Sequence, residues 1–328
     1  MGSVLGSCAR ERKSVDTKRT PFELTVEWNV FALLPNRQIS QISPSGGRFH
    51  LPCIHPSGEV VVFQGGLFHE RLRIWRAKIA CGALSPLTSP QANSWMPAYS
   101  WKGDVIVFAS DIPMSKKIRR IAEMPLWLPP EGYTVNLFVM DSDGKDIRQI
   151  TVGDCQDLRP ALSPDGRHVA FCSNRTGTWK IWVVPSDGNA NPSLLKGSYE
   201  WAMRPWYARD GQSLFFHTDV DGRHRICRYW LVDGQIKPLP NDDEGMSHGA
   251  SASANGGSLL MHSTKGGGSR IWRLPLDGSP AEEIRTPGFK LAGHATEGNN
   301  GVVVFDSPNK LPSAAKGRER GQPLRSAD

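Results

Sequence analysis

Two sets of matched positions in the chain hold side chains that could do chemistry. In the first set, Gln64, Ala109, Cys172, His217, His262 and Asp306 each directly follow a strand aromatic or its substitute: Phe63, Phe108, Phe171, Phe216, Met261 and Phe305. Two consecutive members are His and the next is Asp. The second set, at the start of the preceding strand, reads Leu51, Met96, Arg159, Arg204 and Gly249, with His248 and His294 close by. If the segments are structural equivalents, inner-strand starts and second-strand ends gather His217, His248, His262, His294, Asp306, Arg159 and Arg204 around one mouth. Imidazoles with a carboxylate could hold a divalent metal, and two guanidinium groups could grip an anion. The plainer alternative is that His217 and His262 lie between repeats and hydrogen-bond neighbouring backbone, while the two arginines pair with turn carboxylates. No recognised ligand spacing supports the metal version, which is the weaker of the two functional readings.

These positions become equivalent through a repeat. Residues 52–63 read PCIHPSGEVVVF, 97–108 PAYSWKGDVIVF, 205–216 PWYARDGQSLFF and 250–261 ASASANGGSLLM, with a tighter HATEGNNGVVVF near the C-terminus. The fullest copy lies within 159–188, where Ser163-Pro164-Asp165-Gly166 makes a turn between a short strand around Pro160–Leu162 and the strand His168–Cys172. Turn glycines Gly58, Gly103, Gly166, Gly211 and Gly256 stand 45 residues apart except for one interval of 63. The longer interval carries a Pro-rich, basic insert at about residues 111–132. A third strand recurs at Arg73-Ile74-Trp75, Asn136-Leu137-Phe138, Lys180-Ile181-Trp182, Arg225-Ile226-Cys227 and Arg270-Ile271-Trp272. Its Asp-Gly turns (Asp143-Gly144, Asp187-Gly188, Asp233-Gly234, Asp277-Gly278) predict two-residue hairpins. A fourth, outer strand is clearest over Asp146–Thr151.

Four strands per unit at this period predict a β-propeller, because one unit cannot bury its apolar faces alone. The sixth unit stops after its second strand, at Ser307, and its missing half matches the other end of the chain. Asn29–Leu33 parallels Asn136–Met140, and Arg37–Ser40 parallels Arg148–Thr151. The expectation is an all-β, six-bladed propeller over residues 21–307, closed by N-terminal strands that complete the C-terminal blade. Closure of this kind removes an unpaired sheet edge. Residues 1–20 read as a disordered leader and 308–328 as a disordered basic tail.

The phrase LSPDGRHVAFCSNRTGTWKIWVVPSDG resembles the TolB-type propeller repeat, which pairs Ser-Pro-Asp-Gly with a strand and then Ser-x-Arg-x-Gly. Here those residues are Ser163, Pro164, Asp165, Gly166, Ser173, Arg175 and Gly177. The resemblance covers residues 22–307, but only the third unit matches in full and the fourth keeps Asp210-Gly211. It implies architecture more than function, since one fold hosts unrelated activities. Prolyl-oligopeptidase-type enzymes carry a similar propeller beside an α/β-hydrolase domain. The G-x-S-x-G elbow of such a domain is missing, as Gly249-Ala250-Ser251-Ala252-Ser253 lacks the last Gly. A serine peptidase is therefore not expected.

Composition agrees with a turn-dense β protein: 328 residues hold 33 Gly and 25 Pro, and 39% are apolar. The formal net charge of +7 gathers partly in the two ends and in Lys116-Lys117-Ile118-Arg119-Arg120. No aromatic platform is interleaved with these charges, so nucleic acid is not an expected partner. The six cysteines show no C-x-x-C spacing, and Cys53, Cys172 and Cys227 fall within strands as buried reduced thiols. No apolar run is long enough to span a membrane. With no export signal recognised in MGSVLGSCARERK, the expected compartment is the cytoplasm. These readings converge on a monomeric, non-catalytic binding or scaffolding module without a cofactor, engaging a protein or peptide at the channel mouth or the 111–132 insert. The alternative is a metal-dependent lyase or hydrolase that works on a carbohydrate-like substrate through the mouth histidines. His55, at the place of Ser163, is expected to cap its turn, and the strand tryptophans Trp75, Trp182 and Trp272 and the inner-strand flanks Trp101 and Trp206 to pack between blades.

Overall fold

The computed structural model describes residues 26–112, 128–130, 132–220, 223–239, 247–264 and 268–308. Strands β1 (Asn29–Leu33) and β2 (Ile39–Gln41) precede the first complete blade, β3 (Gly47–Ile54), β4 (Val60–Leu67), β5 (Arg73–Lys78) and β6 (Leu84–Pro86). Blade 2 is β7 (Ser94–Tyr99), β8 (Val105–Ser110), β9 (Asn136–Asp141) and β10 (Arg148–Gln149). Blade 3 follows as β11 (Asp157–Leu162), β12 (His168–Ser173), β13 (Lys180–Pro185) and β14 (Ser193–Leu194). Blade 4 holds β15 (Ala202–Tyr207), β16 (Ser213–Val220), β17 (Arg223–Trp230) and β18 (Ile236–Pro238), and blade 5 holds β19 (Ser247–Ala252), β20 (Ser258–Ser263), β21 (Arg270–Pro275) and β22 (Glu282–Ile284). Blade 6 starts with β23 (Gly293–Glu297) and β24 (Val303–Ser307) and is completed by β1 and β2, in the order β2-β1-β24-β23. All pairings within the six four-stranded sheets are antiparallel, as the repeat predicts. The described residues include no helix.

The repeat aromatics explain why the blades pack. Phe63, Phe108, Phe171, Phe216 and Phe305 have no exposed surface, and Met261 is nearly as buried. Each sits mid-sheet on the second strand, where both faces of a blade are covered by neighbours. Burial of one such side chain contributes about 1.5–3 kcal/mol relative to leaving it in water.

Three local expectations need correction. Inner strands begin earlier than the apolar runs suggest: β11 opens at Asp157, not near Pro160. The polar residues Asp157 and Arg159 hid the start, and a bulge breaks the alternation. The Asp-Gly dipeptides do not form the inner pair of two-residue hairpins. Gly144 N donates to Asp141 O at 3.0 Å, and Gly188 N to Pro185 O at 3.0 Å, which places each Gly last in a four-residue turn. There Gly144 and Gly188 take φ of 86° and 74°, the left-handed region that favours Gly. The outer strand of blade 2 is only Arg148–Gln149, since Asp146 turns the chain at φ 53°.

One sequence-level role stands as read. His55 Nδ1 accepts from Ser57 N at 3.1 Å and so caps the turn closed by Gly58 N to His55 O. In the best-preserved blade, Arg175 Nη2 reaches both oxygens of Asp157, at 2.9 and 2.8 Å, and its guanidinium lies 4.9 Å from the Trp182 ring centroid. The Ser-x-Arg-x-Gly motif thus ties the loop after the second strand to the start of the first.

Candidate functional site

Every inner strand carries one extra residue against its partner. The register slips between His50 and Cys53, Trp95 and Ala98, Leu158 and Ala161, Met203 and Trp206, His248 and Ser251, and Gly293 and Thr296. The first bulged residue is left-handed in all six blades: Leu51 at φ 52°, Met96 at 54°, Arg159 at 55°, Arg204 at 58°, Gly249 at 65° and His294 at 46°. Proline follows in four blades (Pro52, Pro97, Pro160, Pro205), fixing the backbone directly after each bulge. Five non-glycine residues held in this region cost about 1 kcal/mol or more apiece. The result is a six-fold ring that brings one residue per blade to the channel, five of them with a side chain. These are the residues that the sequence placed at strand starts; the bulges put them inside the strands instead. A central cavity of about 90 Å³ is bounded by this ring and by the residues that follow it, including Trp206, Ser251 and Thr296.

The second-strand residues occupy a layer behind the ring. Gln64, Ala109, Cys172, His217, His262 and Asp306 pair in register with the residue just before each bulge. Four of their side chains reach across to the next blade. Leu51 N donates to Asp306 Oδ2 at 2.8 Å, Met96 N to Gln64 Oε1 at 2.8 Å, and His294 N to His262 Nδ1 at 3.4 Å. Cys172 Sγ receives the Arg204 N–H and donates to Leu158 O at 3.2 Å. The bulge turns its N–H toward the preceding blade, and the second-strand side chain meets it. Ala109 has no acceptor to offer, so blade 2 lacks this link. Backbone bonding between blades, the plainer reading of His262, is what its ring does here.

Asp306 is the most connected of these side chains. Fully buried, it also stands 3.0 Å from His294 Nδ1, and His50 Nδ1 lies 4.0 Å away. Burial pushes its carboxyl above the usual range, opposed by His50, the Leu51 N–H, Arg159 and Arg204. Burial likewise drives His50 down to about 3, with Asp306 opposing, so this imidazole is neutral at neutral pH. The His262 and His294 rings meet edge-on, their centroids 4.9 Å apart. Gly249 makes room beside them: a Cβ there would come 2.9 Å from His262 Cε1 and 3.1 Å from Arg204 Nη1.

The structure therefore brings Arg159, Arg204 and His294 onto the cavity, and sets Asp306 and His262 directly behind it. His217 is buried on β16, opposite Met203 and away from the cavity lining. The backbone of His248 faces His262 in register. Among the described residues no three His, Cys, Asp or Glu side chains stand together as a metal-binding group. His50 was missed by sequence reasoning, although it holds the register position of His248 and so was findable by the same alignment. Trp206 was read as packing only. Residues 1–20, the tail from 309 and most of the 111–132 insert, with its basic knot, lie outside the described residues.

A closed ring of six bulged inner strands around a narrow channel defines a six-bladed β-propeller. A TolB beta propeller domain is matched over residues 126–295, and the chain belongs to that family. It is 27% identical over 235 residues to the Tol-Pal system protein TolB of Anaeromyxobacter dehalogenans, covering 67% of this chain and 54% of that one. An uncharacterized protein of Agrobacterium fabrum, Atu1656, is 32% identical over 87 residues, 26% of this chain and 29% of the relative. The chain thus spans between about a quarter and about half of the length of these relatives. Among solved structures, a TolB from Agrobacterium tumefaciens superimposes with a TM-score of 0.66 at 13% identity, covering 85% of this chain and 97% of that one. An oligogalacturonate lyase from Vibrio parahaemolyticus superimposes with a TM-score of 0.54 at 12% identity, covering 88% and 85%. At these identities the structures share the fold. A TolB-like propeller supports a binding or scaffolding role, and lyases use the same architecture.

Proposed function

We propose that this chain is a non-catalytic binding or scaffolding propeller that engages a protein or peptide partner at the mouth of its channel. The ring of bulged residues carries the reading. It fixes a pre-formed concavity on rigid strands, with apolar Leu51 and Met96 from blades 1 and 2 beside cationic Arg159 and Arg204 from blades 3 and 4. Pre-formed concavities with a few placed polar groups are where recognition concentrates. The family points the same way, since the TolB relative is a Tol-Pal system protein.

A plug tests this reading. Met96→Trp fills the channel from one blade and leaves every second-strand side chain in place. A partner isolated by crosslinking and then shown to bind the purified chain is expected to lose that binding to the plugged variant. Equal binding by a plugged variant of unchanged melting temperature would remove the mouth from the reading. Deleting residues 113–130 asks the same of the insert. We further propose a reducing compartment, supported by five free cysteines among the described residues, of which only Cys81 is exposed. Cell fractionation with thiol labelling checks this, and recovery of an oxidised form outside the cytoplasm would refute it.

A further inference from the structure

The channel wall has donors to spare. Arg159 and Arg204 sit at equivalent bulges of adjacent blades, and neither guanidinium makes an ion pair among the described residues. Among the described residues, Arg159 Nε, Arg204 Nη1 and Trp206 Nε1 are all buried without a hydrogen-bond partner, and all three residues line the same cavity. The acceptors nearby are engaged. Thr296 Oγ1 takes the Ile54 N–H at 3.0 Å, Ser251 Oγ donates to Ala295 O at 2.7 Å, and Asp306 serves Leu51 and His294.

Charge tells the same story as hydrogen bonding. Two guanidinium groups face one carboxylate, and His50 adds nothing because it is held neutral. Burial, and then the charge of Arg204, pushes the Arg159 guanidinium well below its ordinary range. Enclosed cations that outnumber their counter-charge are expensive. A pair of them on one cavity, with a third unmet donor between the same walls, is the arrangement that an entering anion relieves. Guanidinium forks match planar carboxylates in particular, because two N–H groups meet two oxygens.

We propose that the channel is a carboxylate site, in which Arg159 and Arg204 hold the two oxygens of an acidic group and the Trp206 indole N–H donates to one of them. The inference rests on the binding reading above and names the chemistry of what enters: an acidic side chain or terminal carboxylate of a peptide, or a small free acid. Leu51 and Met96, from the two blades that precede the arginines, would meet the apolar part of the same ligand. The cavity of about 90 Å³ admits the acidic group rather than a folded surface, so a larger partner would insert only its tip.

Calorimetric titration of the full chain with sodium malonate, and fluorescence titration with labelled hexaglutamate, tests the proposal against sodium chloride of equal ionic strength. Saturable binding to the wild type is expected, weakened at least tenfold by Arg159→Gln and by Arg204→Gln. Arg204→Lys, which keeps the charge and loses the fork, should give an intermediate loss and guards against a Gln variant that fails to fold. Malonate binding without hexaglutamate binding assigns a small free acid; binding of both assigns a peptide. Neither probe binding, or binding indifferent to the three substitutions, overturns the proposal. Partner capture that persists in Arg159→Gln/Arg204→Gln, with neither probe binding the wild type, removes the carboxylate site and leaves the scaffold. Arginine-dependent malonate binding by a chain with no protein partner does the reverse.

Discussion

Leu51 and Asp306 are 255 residues apart in the chain and 2.8 Å apart in the fold, where the backbone N–H of one meets the carboxylate of the other. The bond joins blade 6 to blade 1, the seam at which the two ends of the chain meet. Strand pairing within blade 6, Phe31 opposite Phe305, closes the same ring by a different route.

The seam is testable by separating the acceptor from the charge. Asp306→Ala leaves the buried Leu51 N–H without an acceptor and removes the neighbour of His294. An orphaned buried group costs roughly 1–3 kcal/mol. The Ala variant should therefore lose about 3 kcal/mol or more, once lost packing is included. Asp306→Asn keeps one oxygen for Leu51 and should lose clearly less. Urea denaturation measures both, and equal losses would mean that the Leu51 bond is not what the carboxylate is there for.

Acid should weaken the protein through His50. Its imidazole is held at about 3 by burial, against about 6.5 when unfolded, so the unfolded chain binds the extra proton between those values. The stability it represents is complete above pH 6.5 and is lost as the pH falls toward 3, at about 1.4 kcal/mol per unit of the difference. Asp306 works with the opposite sign. Burial raises its carboxyl, so its contribution declines as the pH rises out of the ordinary carboxylate range. His50→Gln should flatten the acid limb between pH 6.5 and 5 and leave the Asp306 slope. Denaturation midpoints at several pH values check this, and a variant curve parallel to the wild type would refute it.

How much of this was legible beforehand depended on whether a residue type repeats. Blade number, the closing β1–β24 pair and the buried aromatics follow from a period that survives in every unit. The bulges did not show, because their residues are Leu, Met, Arg, Arg, Gly and His. What those residues share is a backbone angle, and no side-chain pattern announces it. Alignment did bring the six to one level. It could not separate the ring that faces the cavity from the layer behind, so Arg159 and His217 looked alike although only Arg159 reaches the channel. The orphaned donors were invisible, since a missing partner is a fact of three dimensions.

The Arg175–Asp157 pair predicts that the family motif is structural. Asp157 has no exposed surface, and Arg175 holds it while stacking on Trp182. Removing one member of a buried pair typically costs about 3–5 kcal/mol, because the other charge is stranded. Arg175→Ala should destabilise on that scale, with ligand binding at the channel unchanged in the fraction that stays folded. Arg175→Lys keeps the charge, loses the planar stack and should fall between. A thermal melt of both variants decides, and a loss under 1 kcal/mol for the Ala variant would leave the motif unexplained.

Gly249 offers a sharper test of the ring, because the other five blades show what its backbone tolerates. Leu51, Met96, Arg159, Arg204 and His294 all carry a Cβ at the same left-handed bend, so the angle alone does not demand glycine. What differs at blade 5 is the His262 ring, whose Cε1 lies 2.9 Å from where a Cβ would stand, with Arg204 Nη1 at 3.1 Å. His262 cannot swing aside without giving up the His294 N–H. Gly249→Ala should therefore cost more than the roughly 1–2 kcal/mol of conformational strain. In a His262→Ala background the same substitution should cost the strain alone. Residues in contact show such coupling at about 0.5–3 kcal/mol in double-mutant cycles. If Gly249→Ala costs the same in both backgrounds, the ring is not the obstacle. The glycine would then be there for the channel, leaving space beside Arg204 for the group that the arginines bind.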